Sequence, residues 1–111
     1  MADGKQLGAT GHIALLVLGL IEEEPRYGYA IIKELEARSK SYFQMKEGSL
    51  YPVLHQLEKQ GLVKTEWRHQ TGKPNRRYYS ITPRGKKALS TGRVEFEAHV
   101  AAMRSVLGSS Q

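Results

Sequence analysis

The sequence predicts a mostly helical α+β fold, a winged helix-turn-helix with an N-terminal helix before it and one long C-terminal dimerisation helix after it. Three observations carry that reading. From Glu47 to Ile81 an amphipathic segment, a glycine break and a basic hairpin follow one another without interruption. Leu50, Val53, Leu54 and Leu57 recur at i, i+3, i+4 and i+7, so one face of that segment is buried and the other is free to meet a partner. Thr82-Pro83 then opens a last segment with helical apolar spacing.

Taken in order, residues 1–10 are rich in Gly, Ala and polar side chains without periodicity, which predicts a mobile arm. Ile13 to Ile21 is apolar on every side. As a helix it needs burial on all faces, so something beyond its own domain is expected to cover it. Glu22, Glu23 and Glu24 lead into Pro25, which stops the helix; their carboxylates point in different directions and read as a solvated end rather than a cation site. Tyr27-Gly28-Tyr29 opens a second helix with Gly28, Ile31, Ile32 and Leu35 as its buried stripe. Ser39 to Met45 is the turn, with Phe43 and Met45 tucked inward.

The third helix begins near Gly48 or Ser49 and tolerates Pro52 because first-turn amides have no internal acceptor. Gln60-Gly61 ends it with glycine in the left-handed position. Val63, Thr65 and Trp67 then alternate with Lys64, Glu66 and Arg68, and RRYYSIT follows TGKPN, which predicts a two-stranded hairpin with a loose turn. Trp67, at mid-strand, is expected in the core against the third helix. Tyr78 and Tyr79 point to opposite faces, as do Arg76 and Arg77, so one arginine faces outward and the other can anchor the third helix. The last helix is expected over 83–107, where Leu89, Phe96, Val100, Met103 and Leu107 form a seam for another helix. The resulting organisation is an arm (1–10), a winged helix-turn-helix (11–82), a C-terminal dimerisation helix (83–107) and a frayed tail (108–111).

Charge narrows the partner. The 17 Lys and Arg against 11 Asp and Glu give a net charge of +6, and ten basic against three acidic side chains fall within residues 41–90. A polyanion approaching the third helix and the hairpin is the natural complement. With no cysteine, disulfides, thiolate metal sites and cysteine nucleophiles are excluded, and a cytoplasmic location is expected. The longest apolar run, Ile13 to Ile21, falls far short of the ~20 residues that span a bilayer, and the chain start lacks a secretory pattern, so no membrane partner is expected. His12, His55, His69 and His99 have no ligand spacing, Ser49 and Ser80 lack a nucleophile elbow, and no glycine loop cradles phosphate. His99 with Glu95 is the sole candidate acid–base pair and reads as an ordinary helix-surface contact. No metal, no cofactor and no enzymatic activity are expected.

The outer face of the third helix carries Ser49, Tyr51, His55, Gln56 and Lys59, side chains suited to a major groove. Any surface helix is polar outside, and the exposed Tyr51 beside Pro52 tilts the reading towards a contact surface. In the hairpin, Arg68, His69, Lys73, Arg76 and Arg77 cluster with no acid after Glu66, so their repulsion is relieved only by an approaching anion. A protein-interaction module, with the wing docked on an acidic partner and no DNA, is the alternative.

Taken together, YGYAIIKEL, KEGSLYPVLHQLEKQGLV, EW and RRYYSITPRGKKAL closely resemble the PadR family of bacterial transcriptional regulators. The likeness runs from about His12 to Leu89, and the single helix after the wing is similar to the short-tailed branch. The resemblance implies a homodimeric repressor on a near-palindromic, inverted-repeat operator in double-stranded DNA, relieved by a small molecule. It selects Ser49, Tyr51, Pro52, His55, Lys73, Arg76 and Arg77 for DNA, beside Gln56 and Lys59 from the helix face. It also implies that the first and last helices build the dimer. A planar aromatic effector would then sit in an apolar slot lined by Ala14, Leu15, Leu18, Phe96, Val100 and Met103, residue types that equally suit a dry dimer core. The chain departs from the family pattern at Thr10-Gly11-His12-Ile13, and Glu95, Glu97 and His99 bring ionisable groups near that slot.

Overall fold

A computed structural model describes residues 11–108, so the arm expected over 1–10 and the last three residues lie outside the described part. The elements are α1 (Gly11–Glu23), β1 (Arg26–Tyr27), α2 (Gly28–Arg38), α3 (Glu47–Lys59), β2 (Val63–Gln70), β3 (Lys73–Ile81) and α4 (Pro83–Leu107). This is a winged helix-turn-helix with a long helix after the wing.

The apolar stripes of α1, α2 and α3 converge on one core. Val17, Leu18 and Ile21 of α1 meet Ile31 of α2, Leu50, Leu54 and Leu57 of α3, and Leu89 of α4, all essentially inaccessible to water. Phe43 and Met45 pack against this cluster from the turn, as expected. Each such side chain contributes ~1.5–3 kcal/mol by leaving water. Only one side of α1 is consumed in this way: Leu15, Leu16 and Gly19 remain half-exposed. No helix among the described residues is long and apolar enough to cross a membrane.

The expected hairpin is β2 and β3, and among the described residues a third strand joins it, in the antiparallel order β1-β3-β2. Arg26 and Tyr27 pair with Tyr79 and Tyr78. A strand of two residues is too short to show alternation, and its extended backbone also serves α2, whose N-cap is Tyr27. The hairpin turn is also tighter than expected. Gln70 pairs with Lys73, leaving Thr71-Gly72 as a two-residue turn, and Gly72 takes φ +76°. A register shift between Arg68 and Gln70 absorbs the slack that made the turn look loose.

α3 ends in a Schellman arrangement: Leu62 N–H donates to Leu57 C=O at 2.9 Å and Gly61 N–H to Glu58 C=O at 3.0 Å, with Gly61 at φ +77°. Thr82 then ties two helix ends together. Its hydroxyl accepts from the Gly85 amide at 2.9 Å, capping α4, and donates to the Gly61 carbonyl at 2.7 Å. At Gly85 the chain passes against the Leu62 carbonyl so closely that a Cβ would collide with it. Beyond the buried Gly92, α4 leaves the core, and Val94, Phe96, Met103, Val106 and Leu107 are exposed along it.

Candidate nucleic-acid interface

The buried stripe of α3 dictates what the helix shows on its other side. Ser49, Tyr51, Pro52, His55, Gln56 and Lys59 are all exposed, opposite Leu50, Val53, Leu54 and Leu57. Tyr51 is exposed without being loose. Its hydroxyl end lies over the first residue of α2, where a Cβ on Gly28 would stand 2.6 Å from the Tyr51 oxygen. The ring is thereby held at one edge of the polar face.

The sheet alternation sorts the wing cations onto two faces. On one, the Arg76 guanidinium lies 4.3 Å over the Tyr27 ring, Tyr27 meets Tyr78 edge-on at 5.4 Å, and Arg68 lies 4.1 Å over Tyr78. Such stacks contribute ~0.5–2 kcal/mol each and hold guanidinium groups in a plane. On the other face Arg77 reaches Glu58 of α3 at 3.6 Å, which makes Arg77 the arginine that anchors the third helix. Tyr79, on that same face, is buried, and burial pushes its phenol pKa up. The wing charge is therefore not wholly uncompensated: Glu66 holds Arg68 at 2.9 Å and Glu58 holds Arg77. Lys73 and His69 stay exposed near the tip.

Trp67 is not in the core. It is 61% exposed: the contacts that this sheet face makes with Glu58 of α3 are taken by Thr65, which donates at 3.5 Å, and by Arg77, the cross-strand partner of Trp67, at 3.6 Å. Mid-strand position predicts burial; the neighbours that occupy the α3 contact decide otherwise.

A groove of about 630 Å³ opens away from the wing, between α1, the end of α2 and α4, over Leu15, Leu16, Leu20, Leu35, Leu89 and Phe96. Of the six expected slot residues only Leu15 and Phe96 line it. Ala14 and Leu18 face the other way, buried in the core at 2% and 0% exposure. Val100 and the exposed Met103 lie further along α4, outside the lining. His99 and Glu95 are both exposed on α4.

One rim of the groove is an ion-pair cluster closed by a long-range contact, Glu23 with Arg38, that no local pattern announces. Glu23 accepts from Arg38 at 2.7 and 2.6 Å and from Arg26 at 2.9 Å, and Arg38 also donates to Glu34 at 2.7 Å. The Arg38 hydrogen bonds, with help from Arg26, hold the Glu23 carboxyl down to about 2. The predicted solvated end is thus a structured one, and Arg93 adds a contact to Glu22 at 3.6 Å.

Comparison with known proteins points in one direction. A model for the "Transcriptional regulator PadR-like family" matches residues 17–91. The chain is 34% identical over 96 residues to the transcriptional regulator Rv3488 of Mycobacterium tuberculosis, covering 86% of this chain and 83% of that protein. It superposes on a transcriptional regulator from Clostridium thermocellum with a TM-score of 0.80 at 30% identity, covering 86% and 93% of the two chains. A Bacillus subtilis PadR solved with operator DNA shares the fold, with a TM-score of 0.65 at 24% identity, over 72% of this chain and 46% of that one.

Proposed function

Because the chain belongs to the PadR-like family of transcriptional regulators, we propose that it binds double-stranded DNA as a homodimer on an inverted-repeat operator, represses transcription there, and is released by a small planar aromatic effector. The observation that carries the reading is the adjacency of the polar face of α3 and the basic wing, linked by Arg77 and Glu58. In this reading Ser49, Tyr51, Pro52, His55, Gln56 and Lys59 enter the major groove, and Lys73, Arg76 and Arg77 meet phosphates. The related fold solved with operator DNA supports double-stranded DNA as the partner.

One further observation supports the dimer. The half-exposed Leu15 and Leu16 of α1 and the exposed Phe96, Met103 and Leu107, which share one face of α4, form an apolar surface that suits a second copy. A second copy laid against it is expected to present the two α3 helices one duplex turn, roughly 34 Å, apart. The effector sits against Leu15 and Phe96, and the protein works in the cytoplasm.

A mobility-shift titration with the chain's own upstream region tests the DNA reading. Salt-sensitive binding at nanomolar to micromolar protein is expected, and its absence ends the reading. Sedimentation tests the dimer, and a thermal-shift screen against planar aromatic acids and cations tests the effector, since a ligand of the folded state raises its melting temperature.

A further inference from the structure

We propose that Trp67, with Arg77, forms a seat for the DNA sugar–phosphate backbone where it crosses from α3 to the wing. This rests on the DNA reading above. Trp67 and Arg77 are cross-strand partners on the face of the sheet turned towards α3. The Arg77 guanidinium lies 6.0 Å from the centre of the Trp67 ring and 3.6 Å from the Glu58 carboxylate of α3. At that distance Glu58 orients the guanidinium without consuming its N–H groups in a hydrogen bond. The indole is 61% exposed, and its N–H has no protein acceptor among the described residues.

Position decides what the indole meets. Thr65 and Trp67 follow each other on the same strand face, and Thr65 already touches Glu58 of α3 at 3.5 Å. Trp67 is therefore the next outward side chain in the angle between the reading helix and the hairpin. A duplex with α3 in its major groove and the wing tip over the neighbouring groove runs one backbone strand through that angle. An indole there offers a donor to a phosphate oxygen and a ring face to the deoxyribose, and Arg77 supplies the countercharge. Both partners of the contact are sequence-independent.

Trp67 is the one tryptophan in the chain, so its own emission reports the contact in the unaltered protein. At fixed protein concentration and low salt, a fluorescein-labelled random-sequence 24-base-pair duplex is titrated and anisotropy is read. A parallel titration with unlabelled duplex follows the emission at about 340 nm. The expected result is a quench that saturates together with the anisotropy. Trp67→Ala weakens duplex binding about tenfold and Trp67→Phe, which keeps a ring but loses the N–H, by less. Neither changes the slope of log affinity against log salt, because no charge is lost, whereas Lys73→Ala lowers it. Duplex binding with unchanged emission and unchanged affinity of Trp67→Ala overturns the inference and leaves the DNA reading intact. Emission that shifts on dilution of the protein and ignores DNA also overturns it, placing the indole between subunits. Absence of any duplex binding removes both.

Discussion

Tyr51 and Gly28 compete for one space: a side-chain carbon on residue 28 would stand 2.6 Å from the Tyr51 hydroxyl oxygen and 3.0 Å from its ring. The N-terminus of α2 therefore sets where an exposed side chain of α3 can lie. Gly28→Ala should leave stability nearly unchanged, since alanine gains ~0.5–1 kcal/mol in a helix and the end of a half-exposed tyrosine can swing away. DNA binding should fall with it, to about the level of Tyr51→Ala. Thermal melts beside mobility shifts of both variants check this, and unimpaired binding by Gly28→Ala would show that the ring position is immaterial.

Gly85 presents the opposite case. A Cβ there meets the Leu62 backbone carbonyl and stands 2.7 Å from Ile81 Cγ1, and a backbone oxygen cannot rotate aside. Gly85→Ala should cost about 2–3 kcal/mol. The readout is the midpoint of urea unfolding with an unchanged slope.

Thr82 caps α4 and also binds the Gly61 carbonyl. Thr82→Ala should lose about 1–2 kcal/mol, and Thr82→Ser, which keeps the hydroxyl, should lose less than half of that. Equal losses for the two would mean that the methyl group, not the hydrogen bonds, matters.

The Glu23 carboxyl is held at about 2, well under its ordinary 4.5, first by its hydrogen bonds to Arg38. A depressed folded-state pKa contributes stability that is complete above about 4.5, where both states are ionised, and is lost as pH falls towards 2. Glu23→Gln should therefore lower the melting temperature at neutral pH and flatten its decline between about pH 4.5 and 2. A variant that tracks the parent protein through that window would show the cluster to be energetically silent, the common outcome for exposed ion pairs.

Helices and wing were legible in the chain because their causes are local. The i, i+3, i+4, i+7 stripe of α3, the Gly61 stop, the Thr82 cap with its following proline and the alternation of β2 each act within a few residues, and α4 spans Pro83–Leu107 as its cap and spacing predict. The polar face of α3 follows from the same periodicity, since burying Leu50, Val53, Leu54 and Leu57 leaves Tyr51, His55, Gln56 and Lys59 outside. Contacts between distant segments obey no such rule. The two-residue strand Arg26–Tyr27 exists because β3 offers an edge, and Trp67 is exposed while its cross-strand partner Arg77 takes the contact with α3. Ala14 and Leu18 went to the core rather than the groove because the neighbouring helices chose which side of a uniformly apolar α1 to cover. Where hydrophobicity is the same all round a helix, sequence carries no direction, and packing supplies it.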